Sequence, residues 1–186
     1  NQKGAHLAES RAMRIVGGKF RGRTLAAPES QAIRPTIDRV RESLFNILAH
    51  TDGFEFEGAR VLDLFAGTGA LGIEALSRGA KFCLFVDEGA EARGLIRDNM
   101  EALGLNGCSK LFRRDATGLG PTGTMGEFDL GEKALQSAAE GGWLKPGALI
   151  VLEEAADVPV SLPDRFAAFD ERAYGETIIR LVRWLP

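Results

Sequence analysis

Cysteine is scarce, with Cys83 and Cys108 the only two in 186 residues. That is too few for a disulfide framework. Cys83 lies in the apolar run Phe82–Val86 and reads as a small buried hydrophobe. Histidine is as rare. His6 and His50 stand alone, and with no Cys/His cluster no metal is expected. No run of 18 apolar residues is present, so no membrane-spanning helix is expected. Asn1–Ser10 lacks the apolar core of a secretory signal. Internal repeats and a Pro-rich linker are missing as well. These absences point to a cytoplasmic protein away from membranes; a length of 186 residues suits one domain, and a monomer is expected. What is present suits that reading. Hydrophobic residues make up 45% and charged residues 26%, an ordinary globular balance.

Charge is unevenly spread. Residues 1–50 carry nine Lys or Arg against four acids, a surplus of +5, whereas the remainder carries −8. A basic N-terminal arm on an acidic body allows a polyanion to be held on one side only. A solvated, charged terminus is the plainer alternative.

Residues 1–12 show no period and read as a disordered or appended tail. Residues 13–50 read as a basic hairpin and a helix. Met13–Val16 and Lys19–Leu25 are short strand candidates around Gly17-Gly18. From Thr36, a candidate cap, the period becomes helical, with Val40, Leu44, Phe45, Ile47 and Leu48 on one face. Residues 51–186 then alternate strand and helix. Strands are expected at Arg60–Phe65, Lys81–Asp87, Lys110–Arg114, from Phe128 to Leu130 and at Ala148–Glu153. Helices are expected at Ala70–Arg78, Ala90–Leu103 and Glu132–Ala139. Ala167–Ala173 and Thr177–Trp184 alternate like an antiparallel pair, in which Tyr174 and Trp184 read as packing residues. The pattern predicts an α/β fold of the Rossmann-like kind. Its central sheet is mostly parallel, with an antiparallel C-terminal edge pair and helices on both faces.

The sharpest local signal runs from Asp63 to Gly72. Gly67, Gly69 and Gly72 satisfy G-x-G-x-x-G between a strand and a helix, and Asp87 ends the next strand. Taken alone this is a dinucleotide fingerprint, and a nicotinamide oxidoreductase is the competing enzyme class. Asp63 argues against it, because a carboxylate before the turn would face a pyrophosphate with like charge. S-adenosylmethionine carries a sulfonium and an ammonium and no phosphate, so there the sign is favourable. On this reading Asp87 takes the ribose hydroxyls, and Asp115, ending the third strand, accepts from the adenine amino group. Separate N-caps would account for the acids but leave the three-glycine turn unexplained.

The spacing resembles the class I S-adenosylmethionine-dependent methyltransferases, and the resemblance goes further. Arg34-Pro35-Thr36, Asp38-Arg39-Val40-Arg41-Glu42 and Leu44-Phe45-Asn46-Ile47-Leu48 are similar to the N-terminal signature of the bacterial enzymes that methylate guanine N2 in 16S ribosomal RNA, the RsmD type. Arg14-Ile15-Val16-Gly17-Gly18 with Arg21-Gly22-Arg23 resembles their opening hairpin. Asp63–Gly72, Glu74–Ala80, the strand ending at Asp87 and Asp115-Ala116 match the same family. The resemblance implies a cofactor site of Asp63, Phe65, Ala66, Gly67, Thr68, Gly69, Asp87, Glu88, Asp115 and Ala116, with Arg34 and Thr36 from the N-terminal signature. It implies RNA contacts from Arg14, Lys19, Arg21 and Arg23, with Arg34 and Arg39 nearer the pocket. Pairing of Arg39 or Arg41 with Asp38 or Glu42 is the structural alternative. The implied partner is 16S ribosomal RNA within a small-subunit particle. Another RNA or DNA base as substrate, or RNA binding without catalysis, are the further alternatives.

One departure stands out. Such enzymes carry Asp-Pro-Pro followed by Tyr or Phe at the end of the fourth strand, and none of the seven prolines here is in a Pro-Pro pair. Phe128–Leu130 runs at once into a helix, too short for a central strand of about five or six residues. The expectation is that roughly ten residues are absent between Leu130 and Gly131, with a break in the peptide there; a true deletion is the alternative. No catalytic residue is named for this reason.

Overall fold

The computed structural model describes residues 13–30, 32–33, 36–118 and 130–186. The tail 1–12, Arg34, Phe128 and Asp129 lie outside the described residues. Two compact units are present, the first ending at Arg114 and the second beginning at Asp115.

The first unit opens with a hairpin, as expected, but with shorter strands. β1 (Met13–Arg14) pairs antiparallel with β2 (Thr24–Leu25), and Gly18–Phe20 between them form a 3₁₀ turn. α1 spans Asp38–Ala49 and buries Arg41, Leu44, Phe45 and Leu48. Thr36 does not cap it. Ile37 occupies the N-cap, without a side-chain cap bond. The Asp38 carboxylate accepts from the Arg14 amide, and the Thr36 carbonyl accepts from the Arg41 guanidinium at 3.2 Å.

β3 (Arg60–Leu64), β4 (Phe82–Val86) and β5 (Ser109–Phe112) form a parallel sheet in the order β3-β4-β5. α2 (Ala70–Ser77) and α3 (Ala90–Ala102) are the crossovers. β4 is central and Cys83, Leu84, Phe85 and Val86 are buried, which is why its sequence is a continuous apolar run. Cys83 is the buried hydrophobe foreseen.

The second unit holds α4 (Leu130–Glu140) and an antiparallel sheet of β6 (Leu149–Ala155), β7 (Phe166–Tyr174) and β8 (Thr177–Trp184), in the order β6-β8-β7. Its core is Leu135, Leu152, Phe166 and Val182, with Trp184 packed against it. The closing hairpin is thus as the alternation predicted, and β6 joins it antiparallel.

One expectation at the unit boundary needs correction. Leu130 does not end a strand; it opens α4.

Candidate functional site

β3 carries Val61 and Asp63 on the face that β4 shares through Cys83 and Phe85, by the alternation of side chains along paired strands. α2 crosses this face closely. A Cβ on Gly72 would lie 2.5 Å from the Phe85 ring, 2.6 Å from Cys83 Sγ and 3.0 Å from Asp63 Oδ2. Glycine at this position is what allows the helix to descend onto the strands. The approach delivers the Gly72 amide to Asp63 Oδ2 at 3.1 Å. Part of Asp63 reaches the surface, but its carboxyl is enclosed. Burial pushes its pKa up to about 7; the Gly72 bond opposes that rise and the Asp87 charge adds to it.

Between β3 and α2 the chain turns sharply. Phe65 sits at φ 53°, a conformation that costs a bulky residue energy, and the residue is 49% exposed. Gly67 (φ 58°) and Gly69 (φ 78°) take the other two left-handed positions. Asp87, one residue past β4, holds the turn. Its Oδ2 accepts from the Gly67 amide at 3.0 Å and its Oδ1 from Gly89 at 2.8 Å. Ala66 donates to the Val86 carbonyl, and buried Thr68 accepts from the Ala70 amide through its hydroxyl. Asp63, Phe65, Ala66, Gly67, Thr68, Gly69 and Asp87 are therefore brought together. Glu88 follows Asp87 and is exposed.

Asp115 is placed differently from the expectation. β5 ends at Phe112, so Asp115 lies three residues beyond the strand, in the second unit. It is exposed, and its Oδ1 accepts from the Thr117 hydroxyl and amide, which hold its pKa below the usual carboxylate range. Ala116 is buried at the start of the following 3₁₀ turn.

The turn suits a cation better than a phosphate. Two carboxyls border it, and their mutual repulsion helps raise the pKa of Asp63. A positive group seated there would relieve that repulsion. The glycines leave backbone open to close approach. The donor set therefore fits the sulfonium and ammonium of S-adenosylmethionine.

The basic arm is fastened to the same unit by residues that sequence reasoning missed. Glu74, fully buried on α2, accepts the Val16 amide at 3.0 Å and lies 3.6 Å from Arg78 and 4.0 Å from Arg41. Burial raises its pKa. Ser77 donates to the Gly17 carbonyl at 2.6 Å and accepts from the Phe20 amide. Asn99 on α3 accepts from the Ala26 amide at 2.8 Å. A carboxylate within the apolar stretch Ala70–Ser77 was the available sequence signal for Glu74. Arg41 is wholly buried and bonds Asp38, Thr36 and the Arg14 carbonyl, so the structural alternative describes it. Arg14, Lys19, Arg21, Arg23 and Arg39 are exposed. Lys19 lies over the Phe20 ring, and Arg23 donates to the Ala102 carbonyl at the end of α3.

Comparison with known proteins places these features in context. The family model described as "Conserved hypothetical protein 95" matches residues 13–183. Ribosomal RNA small subunit methyltransferase D of Haemophilus influenzae is 34% identical over 185 positions, covering 91% of this chain and 92% of that protein. The protein of the same name from Escherichia coli K12 is also 34% identical, over 91% of this chain and 88% of its own length. An alignment of 185 positions that takes in 91% of a 186-residue chain must set some of the relative's residues against gaps in this one. The solved structure of yhhF from Escherichia coli superposes with a TM-score of 0.76 at 31% identity, over 94% of this chain and 98% of that one.

Proposed function

This chain belongs to the Conserved hypothetical protein 95 family, that of ribosomal RNA small subunit methyltransferase D, and on that premise we propose that it binds S-adenosylmethionine at the glycine turn and methylates the exocyclic N2 of a guanine in 16S ribosomal RNA. The observation that carries the reading is the pair Asp63 and Asp87 bracketing Gly67–Gly72, on the same unit as an exposed basic hairpin. When bound, S-adenosylmethionine supplies the methyl group on its sulfonium.

The chain's own residues have three tasks. Asp63 offsets the positive charge of the methionine part. Asp87 presents its remaining lone pairs to the ribose hydroxyls while its Gly67 bond holds the turn. Arg14, Lys19, Arg21 and Arg39 contact phosphates, which positions RNA without reading its sequence. A guanine amine is a poor nucleophile, so it must be held in line with the methyl by acceptors for its N–H groups. The resemblance assigns those acceptors to the Asp-Pro-Pro segment, which these 186 residues do not include. The proposed setting is a small-subunit particle in the cytoplasm, with the protein acting as a monomer. Among the described residues no helix is long and apolar enough to cross a membrane.

Asp87→Ala should weaken binding of S-adenosylhomocysteine by about 1.5–3 kcal/mol, because ribose hydroxyls lose a charged acceptor and Gly67 loses its anchor. Calorimetry on the folded variant checks this, and unchanged affinity removes Asp87 from the site. Reversal of Lys19 and Arg21 to Glu should weaken RNA binding and lower the salt slope by about 0.7–0.9 for each phosphate no longer neutralised. Cofactor affinity should stay put. The functional test is methyl incorporation into naked 16S RNA, small-subunit particles and duplex DNA. Preference for particles supports the proposal, and preference for DNA overturns the substrate assignment alone.

A further inference from the structure

Asn99 is 3% exposed and lies on the inner face of α3. A buried amide needs partners for both of its ends. Its Oδ1 accepts from the Ala26 amide at 2.8 Å, just after β2 of the basic arm. Its Nδ2 donates to the Thr68 carbonyl at 3.1 Å, in the middle of the glycine turn. The two partners fix the orientation of the amide, since an amide N–H can only donate and a carbonyl can only accept. One side chain thus joins the RNA-facing arm to the cofactor-facing turn.

The same stretch of arm is tied to the turn's surroundings at two further points. Glu91, in the first turn of α3, accepts the amides of Glu29 and Ser30 at 3.0 Å each and the Ser30 hydroxyl. The Ser30 bonds hold its pKa below the usual carboxylate range. Farther along, Ile33 reaches the turn itself, with its Cγ2 3.3 Å from where a Gly67 Cβ would stand. Ala26, Glu29 and Ser30 are therefore bonded to α3, and Ile33 touches the glycine turn. Among these contacts of the described residues, Asn99 hydrogen-bonds both arm and turn with one side chain.

We infer that Asn99 is a positioning residue that couples the two binding events: a cofactor seated against the turn fixes Thr68, and through Asn99 it fixes the arm that receives RNA. The inference rests on the cofactor and RNA assignments above. Coupling between sites is reciprocal, so RNA should tighten cofactor binding by the same factor. A purely structural amide would stabilise the fold without linking the two affinities.

The test measures S-adenosylhomocysteine affinity with and without saturating 16S RNA transcript, in wild type, Asn99→Ala and Asn99→Asp. Wild type should show tightening of about fivefold or more. Asn99→Ala should reduce this to a ratio near one. Asn99→Asp keeps an acceptor for Ala26 and loses the donor to Thr68, so it should also lose the coupling. If either variant fails to fold, hydrogen exchange at the Ala26 amide of wild type decides. S-adenosylhomocysteine should slow that exchange severalfold even without RNA. Binding of S-adenosylhomocysteine with no change at Ala26, or full coupling in Asn99→Ala, overturns the inference and leaves the proposed function standing. Absence of any S-adenosylhomocysteine binding overturns the proposed function, and the inference with it.

Discussion

Asp63→Asn is expected to make the folded protein more stable at pH 8, by about 2 kcal/mol, while weakening its hold on S-adenosylmethionine. In the fold the Asp63 pKa is pushed from 3.8 to about 7 by burial, with a contribution from Asp87. A carboxyl with a raised pKa binds its proton more readily folded than unfolded. Its stabilising contribution is therefore complete below pH 3.8 and is lost as pH rises through about 7. The shift corresponds to an upper limit of about 4 kcal/mol of destabilisation in the charged state. Asparagine removes that cost and keeps an oxygen for the Gly72 amide, but its buried NH₂ adds a penalty of about 1–3 kcal/mol. The net effect should change sign with pH. The variant should be the more stable at pH 8 and the less stable near pH 4. Urea unfolding at the two pH values measures this directly. Cofactor binding should move the other way. Wild-type affinity for S-adenosylmethionine should rise from pH 6 to pH 8 as Asp63 ionises, and the variant should be flat. A wild-type affinity independent of pH in this range would mean that Asp63 does not face the cofactor's charge.

Insertion of an Asp-Pro-Pro-Tyr segment of about ten residues between Leu130 and Gly131 is expected to raise methyl transfer to 16S RNA by about 100-fold or more. Positioned acceptors for the guanine N–H groups are worth that order, judged by the loss of single preorganised hydrogen-bonding groups in other enzymes. S-adenosylhomocysteine affinity should be nearly unchanged, because the glycine turn and Asp87 belong to the first unit, well before the insertion point. The measurement is single-turnover transfer of labelled methyl to small-subunit particles by both chains. Equal rates would show that residues already present supply the acceptors, and would withdraw the Asp-Pro-Pro assignment.

Much of the fold was legible because its elements carry strong local signals. The continuous apolar run of β4 and the Gly-rich turn after β3 placed the parallel sheet correctly. The alternation from Phe166 to Trp184 placed the closing hairpin. Boundaries failed where side-chain bonds at a distance decided them. Thr36 has the chemistry of a cap, yet the helix begins at Asp38 with Ile37 at its N-cap, and the Thr36 carbonyl accepts from Arg41. From sequence Asp115 reads as a strand end because Arg113-Arg114 extend the pattern of β5, but strand pairing stops at Phe112. The site's acids were visible from spacing, whereas their electrostatics were not. The raised pKa of Asp63 depends on Gly72 bringing α2 down onto the strand. Glu74, Ser77 and Asn99 were invisible as arm anchors, since their partners lie 57 to 73 residues away in sequence.

The most direct measurement of the central claim is a pair of calorimetric titrations of the 186-residue chain, one with S-adenosylhomocysteine and one with NAD. A site whose two carboxyls border a glycine turn should bind S-adenosylhomocysteine, whose ammonium keeps one of the two positive charges, and should reject the pyrophosphate of NAD. Tight binding of NAD with no heat from S-adenosylhomocysteine would contradict the account.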